Sequence, residues 1–344
     1  MTFEPVNEAY MRRALELAAH GLGFVSPNPM VGAVITARGR IIGEGYHRRY
    51  GGPHAEVNAV ASVSEADRIL LPEATIYVTL EPCSHYGKTP PCAKLLTDIG
   101  IGRVVVGAPD PNPLVAGRGV NMLRQAGIEV IEGVMAEESI RLNKTFMTAQ
   151  TQRRPYVTLK WAQSADGFMD HDRSGGSGAA RFSTPVTQAI VHWRRACADA
   201  IAVGAGTVIS DSPRLDVRAI EGRSPRPVIF DRHRLLNPDN CSLLRDTRGT
   251  IHLTEPEPLA SQLQSLFADY GITSLLVEGG ASLLREFIAT GLWDEARVEV
   301  SPEALGHAGR VAAPTLPCAP ESAAEIDGRL LLHYCNPASK LAAL

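Results

Sequence analysis

His54-Ala55-Glu56, followed by Pro82-Cys83 and then Cys92, is the group of residues in this sequence best suited to chemistry. One imidazole and two thiolates are good zinc ligands. Three protein ligands leave the fourth position to water, which marks a catalytic site and not a structural one. Zinc lowers the pKa of that water, so hydroxide becomes available near neutral pH. Glu56 stands two residues after His54 and can face the same pocket without binding metal. A carboxylate there can take the proton of the water and hand it to a leaving amine. His-x-Glu with a later Pro-Cys is the pattern of zinc nucleobase deaminases. Each piece alone is weak, and a four-ligand structural site with His85 stays open as the alternative. The cysteines are separated by SHYGKTPP, longer than the usual two-residue spacer, and this insert brings His85 and Lys88, groups suited to a substrate phosphate.

A second set of residues lies further along. Val277-Glu278-Gly279-Gly280-Ala281-Ser282 follows an apolar strand and precedes a helix. Glycines let a phosphate approach the backbone there, and the helix N-terminus supplies N–H donors. This is not the G-x-G-x-x-G fingerprint, and such a turn more often serves tight packing. Val203-Gly204-Ala205-Gly206-Thr207-Val208 also follows a strand, and Asp211 to Arg218 supply acids and bases.

The elements that must position these residues read as alternating strands and helices, an α/β architecture. Asn7 caps a first helix that Gly21 closes. Strands Val31–Thr36 and Ile41–His47 form a hairpin, a helix starts near His54, strand Thr75–Leu80 leads to the cysteine loop, and a helix starts at Cys92. Strand Arg103–Gly107, helix Gly119–Ala126, strand Ile128–Glu132 and one helix from Met135 to Ala149 complete the first half. Thr151-Gln152-Arg153-Arg154-Pro155 reads as a polar linker. A second series follows: strands at 156–162, 200–203, 227–230, 250–253, 274–277 and 296–300, with helices at 184–194, 258–270 and 281–289. The Gly/Ser-rich stretch from Asp170 to Ser177 reads as a loop. No element is assigned beyond Ser301-Pro302-Glu303.

The 344 residues suit about two domains. The net charge of −3 lacks the basic excess of a dedicated duplex-DNA binder. No run is long and apolar enough to span a membrane, and the start lacks a signal-peptide layout, so a cytoplasmic enzyme is expected. In a reducing compartment the six cysteines are not expected to pair. Cys197, Cys241, Cys318 and Cys335 read as ordinary core or loop residues without the spacing of a second metal site.

Pro27-Asn28-Pro29-Met30-Val31-Gly32, His54-Ala55-Glu56, Glu81-Pro82-Cys83-Ser84-His85 through Cys92, and Asp110-Pro111-Asn112-Pro113 make the chain resemble the bacterial bifunctional pyrimidine deaminase–reductase family of riboflavin biosynthesis. The resemblance covers nearly the whole chain. It implies a cytidine-deaminase-like three-layer α/β/α domain over residues 1–150 and a dihydrofolate-reductase-like α/β domain over residues 151–344. It implies removal of the 2-amino group of 2,5-diamino-6-ribosylamino-4(3H)-pyrimidinone 5′-phosphate. His54, Cys83 and Cys92 would hold Zn2+ and Glu56 would move the proton. Asn28, His47, His85 and Lys88 would contact base, ribose or phosphate, with Asp110 and Asn112 near the ribose phosphate. Asn28 between prolines and Asp110-Pro111-Asn112-Pro113 would otherwise read as turns, and Lys88 as a surface charge.

With Leu159-Lys160 and Ser164-Ala165-Asp166-Gly167, the second half resembles the reductase part of the same family. The implied reaction reduces the ribosyl group of 5-amino-6-(5-phosphoribosylamino)uracil to ribityl, with hydride passing from NADPH to C1′. The resemblance implies catalytic roles for Lys160, Asp211 and Glu278. Implied substrate contacts are Lys160, Arg195, Leu215, Arg218 and Glu278. Implied cofactor contacts are Ala162, Arg181, Thr207, Asp211 and the run Gly280, Ala281, Ser282, Leu283, Leu284, Arg285 and Glu286. Arg195 and Arg218 suit a phosphate, which guanidinium can grip with two bonds; of the neighbours Arg194 and Arg195, one reads as solvated. Arg232 or His233 is the candidate for the 2′-phosphate of NADPH. The chain departs from the family at Ala179-Ala180-Arg181-Phe182, where a Trp is usual, and at Glu303, where a Lys is common.

The implied partners are small phosphorylated pyrimidines, with no nucleic acid and no membrane, and the family commonly forms homodimers or higher homo-oligomers. Two rivals remain: a nucleic-acid deaminase, for which no aromatic stacking stripe is present, and a deaminase whose second half is a scaffold.

Overall fold

The computed structural model describes residues 3–85, 90–112, 116–174, 176 and 178–339. Lys88, Gly175 and Ser177 lie outside the described residues. The chain divides into two compact units, Met1–Gln152 and Arg153–Ala343.

In the first unit Asn7 caps α1 (Glu8–Ala19) by accepting from the Ala9 amide at 2.9 Å. Next come β1 (Gly32–Ala37), β2 (Arg40–Tyr46), α2 (Ala55–Ser62), β3 (Thr75–Leu80), α3 (Cys92–Asp98), β4 (Arg103–Ala108), α4 (Arg118–Gln125), β5 (Glu129–Ile131), α5 (Ala136–Leu142) and α6 (Lys144–Gln152). The sheet order is β2-β1-β3-β4-β5, antiparallel as far as β3 and parallel from β3 to β5. Strands β1, β3 and β4 are buried along their whole length, as strands covered on both faces must be. Val34, Tyr77 and Val105 point to Met11, Ala14 and Leu17 of α1. Ile35, Ile76, Val78 and Val104 point to Ala59, Ala93 and Leu123 of the opposite helices. That is a three-layer α/β/α unit. Two glycines allow the layers to close: a Cβ at Gly32 would come within 1.9 Å of the Ala14 carbonyl, and one at Gly45 within 2.3 Å of the Ala59 nitrogen.

The expected single helix from Met135 to Ala149 is two helices, broken at Asn143. The buried Asn143 amide accepts from the Met30 N–H and donates to the Met30 carbonyl, both at 2.8 Å, so this residue serves the neighbouring loop. The expected linker is also more structured than its composition suggests. Thr151 and Gln152 finish α6, and Arg154 is buried in a two-bond ion pair with Asp294 at 2.6 and 2.9 Å.

The second unit runs β6 (Tyr156–Gln163), β7 (Phe168–His171), α7 (Pro185–Cys197), β8 (Ala200–Gly204), α8 (Ala205–Asp211), β9 (Arg226–Phe230), β10 (Ile251–Leu253), α9 (Leu259–Ala268), β11 (Ser274–Gly279), α10 (Ala281–Thr290), β12 (Glu295–Val300), β13 (Gly309–Ala312), β14 (Ser322–Ile326) and β15 (Arg329–Cys335). Its large sheet has the order β10-β9-β8-β11-β6-β12-β15-β14. The strands from β10 to β12 pair in parallel, and β15 is antiparallel to both β12 and β14. Val157, Leu159 and Trp161 of β6 enter a core with Leu263, Leu284 and Phe287. Lys160 therefore projects from the opposite face of β6.

Three strands after residue 300 went unassigned in the sequence reading, and Asp170 and His171, read as loop, end β7. Asp327-Gly328, both at positive φ, turns the chain between β14 and β15. That dipeptide is a strong hairpin signal. It was masked by the small, exposed residues of Ser322–Ile326.

Candidate active sites

The first site sits where the parallel strands of the first unit end. Cys83 follows β3, Asp110 follows β4, and the N-termini of α2 and α3 bring His54 and Cys92. The Nδ1 of His54 lies 3.6 Å from Cys83 Sγ and 3.3 Å from Cys92 Sγ. A tetrahedral zinc with ordinary bond lengths separates nitrogen and sulfur ligands by about 3.5 Å. Both nitrogen–sulfur edges therefore already have the length zinc requires, and all three donors lie within 4.8 Å of one another. His85 is exposed at the rim and does not join the cluster, so a three-ligand site is what the geometry supports.

Glu56 is 3% exposed and held in the first turn of α2. Burial, then the neighbouring Cys83 charge, pushes its carboxyl up to about 7. Hydrogen bonding with Cys92 draws the Cys83 thiol down, with help from His54. A cavity of about 220 Å³ joins Glu56, His54 and Cys83 to Asn28, His47, Glu81, His85 and Asp110. Asn112 also lines it.

Two of these contacts are oriented by a chain of hydrogen bonds. His47 is buried and neutral in character, since burial lowers its pKa. Its Nδ1 lies 3.0 Å from the Pro53 carbonyl, which can only accept, so Nδ1 carries the proton. Nε2 then accepts from the Asn28 amide at 3.1 Å. That fixes the Asn28 amide with its oxygen available as an acceptor. Asp110 accepts from the Asn112 amide at 2.9 Å, a turn, and both side chains line the cavity. Burial raises the Asp110 pKa.

Two supports escaped the sequence reading. Asn143 pins Met30, two residues from Asn28. Glu81 is 5% exposed and accepts from the amides of Asp110, Gly117, Gly119 and Val120. A carboxylate at a helix N-terminus is stabilised by the helix dipole. Both are single buried polar residues with partners far away in sequence.

The second site has a different character. Arg195 of α7 grips Glu278 at the end of β11 with two bonds, at 2.8 and 2.6 Å. Burial opposes the Glu278 charge, but Arg195 outweighs it and Lys160 adds to the effect, so its pKa is lowered. Leu215 is buried at positive φ. Arg218 is exposed and pairs with Asp216 at 2.5 Å. Arg194, beside Arg195, is half-buried and lines a cavity with Lys160 and Arg297, so neither of the two arginines is simply solvated.

A separate cavity of about 360 Å³ gathers Gly204, Gly206, Arg232, Ser282, Leu283 and Glu286. His233 lines it as well. Helix α10 starts at Gly280 without a side-chain cap, so its first amides remain available to an anion. A Cβ at Gly280 would stand 2.9 Å from Thr207 Oγ1, which places these two implied contacts side by side. Arg232 pairs with Glu286 at 2.8 Å. Asp211 ends α8 and pairs with Arg173 at 2.5 Å. Ala162 lies on β6 opposite Glu299, Arg181 and Arg285 are exposed, and Ala281 and Leu284 are buried, Leu284 within the core.

The family described as the cytidine and deoxycytidylate deaminase zinc-binding region matches residues 5–108, and the one described as the RibD C-terminal domain matches residues 155–319. The chain is 40% identical over 324 residues to the riboflavin biosynthesis protein RibD of Actinobacillus pleuropneumoniae, covering 86% of this chain and 84% of that one. It is 36% identical over 337 residues to RibD of Escherichia coli K12, covering 88% of this chain and 90% of the other. Among solved structures, Acinetobacter baumannii RibD matches with a TM-score of 0.86 at 36% identity, covering 95% of this chain and 98% of that one. A diaminohydroxyphosphoribosylaminopyrimidine deaminase/5-amino-6-(5-phosphoribosylamino)uracil reductase of Thermotoga maritima matches with a TM-score of 0.84 at 37% identity, covering 96% and 98%.

Proposed function

We propose how the side chains of this protein share two reactions, starting from its family: the chain belongs to the RibD family, the bifunctional deaminase–reductases of riboflavin biosynthesis. The first unit has the cytidine-deaminase-like fold and the second the RibD reductase fold. The protein is a zinc-dependent hydrolase and an NADPH-dependent oxidoreductase. It deaminates the diaminopyrimidine ribosyl phosphate and then reduces the ribosyl group of the aminouracil product.

Bound zinc supplies an activated water. His54, Cys83 and Cys92 would hold the metal, and the spacing of their donor atoms supports that role. Glu56 takes the proton of the water and delivers it to the ring and then to departing ammonia; its burial beside the ligands supports this. Asn28 offers its amide oxygen to a ring N–H or amine, in an orientation imposed through His47 by the Pro53 carbonyl. Asp110, Asn112 and His85 line the side of the cavity where ribose and phosphate would lie. Lys88 is assigned to the phosphate from the resemblance alone.

NADPH supplies the hydride in the second unit. The uncapped start of α10 and the Gly204–Gly206 segment would receive its phosphates, with Arg232 toward the 2′-phosphate, and the open cavity there supports that reading. Thr207, Asp211 and Arg181 are proposed further cofactor contacts. Lys160 polarises the ring-opened sugar beside Glu278, while Arg195 holds Glu278 ionised and Arg218 meets the substrate phosphate.

No helix among the described residues is long and apolar enough to cross a membrane. We place the enzyme in the cytoplasm as a homo-oligomer acting on small phosphorylated pyrimidines. The clustering of His54, Cys83 and Cys92, with His54 and Cys83 lining one cavity together with Glu56, carries the reading most strongly. An assay with the diaminopyrimidine phosphate that follows ammonia and NADPH separately tests it. Ammonia release should precede NADPH oxidation. Deamination of an oligonucleotide with no action on the free pyrimidine would overturn it.

A further inference from the structure

Four side chains with metal-binding or proton-accepting atoms meet on the face of the second unit's sheet from which Lys160 projects, and one of them, His333, lines a cavity with Lys160, Arg194 and Arg297. In the β12–β15 pair, Glu295 stands opposite Cys335 and Arg297 opposite His333. Residues 333 and 335 share a face of β15 because side chains alternate along a strand. Glu321, whose N–H bonds the His333 carbonyl at 2.8 Å, brings its carboxylate to the same place from the start of β14. Glu321 Oε2 lies 3.4 Å from His333 Nδ1 and 2.8 Å from Cys335 Sγ. His333 Nε2 lies 3.6 Å from Cys335 Sγ and 3.3 Å from Glu295 Oε2. One donor atom from each of Glu321, His333 and Cys335 falls within 4.8 Å of the other two.

We propose that Glu321, His333 and Cys335 form a second zinc site, distinct from the deaminase centre, that pins the start of β14 to the end of β15. The donors are a carboxylate, an imidazole and a thiolate, a set that favours zinc over magnesium or calcium. The 3.4 Å between Nδ1 and Oε2 is the edge expected of a tetrahedral zinc, about 3.4 Å. The thiol–carboxylate contact is closer and would open slightly around an ion. With Nδ1 on the metal, Nε2 faces the Glu295 carboxylate at 3.3 Å, and such a partner fixes the tautomer of a metal-bound histidine. Glu295 is suited to that task because it is buried and already tied to Thr158, Arg297 and Tyr156. Three of the four acid, thiol and imidazole groups would be anionic with metal bound, and the cations that face them do so at Glu295: Arg297 at 3.1 Å, with Arg194 close enough to feel its charge. The cluster thus carries a charge that a divalent cation would offset. Cysteine spacing does not reveal this group, because Cys335 is its single thiol.

The test is the zinc content of the full-length protein after reconstitution and gel filtration, measured by mass spectrometry. The expected result is two equivalents per chain for wild type and one for Cys335→Ser or Glu321→Gln, with ammonia release unchanged. A Cys92→Ser protein loaded with cobalt should still show thiolate-to-metal absorption, and His333→Gln added to it should remove that band. One equivalent in the wild type, or a count unaffected by Cys335→Ser, overturns the proposal. Because Cys335 and Glu321 are exposed, their variants should fold, and a circular dichroism spectrum matching wild type confirms it.

Discussion

The two active regions hold their charges in opposite ways. In the first unit, the three donors face one another across a point with room for an ion, and Glu56 is buried beside them. In the second, the charged groups neutralise each other before any ligand arrives: Arg195 with Glu278, Arg218 with Asp216, Arg232 with Glu286, and Arg173 with Asp211. The first region is poised for an ion. The second is a set of ion pairs whose partners a phosphorylated substrate or cofactor must share or displace. Displacing an exposed pair costs little, but a buried one such as Arg195–Glu278 is expensive to break.

The sharpest way to break this contrast is to disable one region and watch the other. Removing zinc with a chelator, or Cys92→Ser, should abolish ammonia release while reduction of the deaminated product continues; joint loss would mean that the regions are not independent. Glu56→Gln should lower the ammonia rate by roughly 10²–10⁴-fold with NADPH oxidation of the deaminated product unchanged.

Arg195→Ala leaves Glu278 charged and buried without its partner, and should destabilise the second unit by about 3–5 kcal/mol in urea unfolding. The pH dependence follows from the same pair. Glu278 has a lowered pKa when folded, so its contribution is present above the ordinary glutamate range and is lost as pH falls through the folded value. Acid unfolding of the wild type should show this loss, and Arg195→Ala should remove it.

Asn143→Ala strips both Met30 backbone groups of their partner, at about 1–3 kcal/mol for each group left unsatisfied. Because Asn28 sits on that loop, KM for the diaminopyrimidine should rise more than kcat falls. Arg232→Ala should have the smallest effect, raising KM for NADPH several-fold while leaving KM for NADH alone; an equal rise for both cofactors would remove Arg232 from the 2′-phosphate.

The same contrast explains what could be read from the sequence. His54, Cys83 and Cys92 announce themselves because metal ligation would demand such residue types, and Glu56 by its place two residues after His54; the helix starts that carry His54, Glu56 and Cys92 are locally encoded. The short apolar runs that predict β1, β3 and β4 are equally local. Asn143 could not be found this way, since Asn occurs anywhere and its partner is more than a hundred residues distant. Within a helical pattern it was read as helix, although tertiary hydrogen bonds break the helix there. The reductase residues were placed through resemblance, and their pairings depend on strands and helices far apart in sequence. The hairpin of β14 and β15 was missed because its exposed face lacks an apolar rhythm, although Asp327-Gly328 was in view.

Glu81 carries a consequence of its own. Its one carboxylate receives amides from the end of β4 and from the start of α4, while two residues later the same stretch of chain supplies Cys83. The segment that carries Cys83 and the segment that would meet the ribose phosphate are therefore mechanically joined through one buried carboxylate at the cavity wall. A shift at one end is felt at the other as a change of position. Mutational scans of such an enzyme would score Glu81 as though it bound zinc and substrate both.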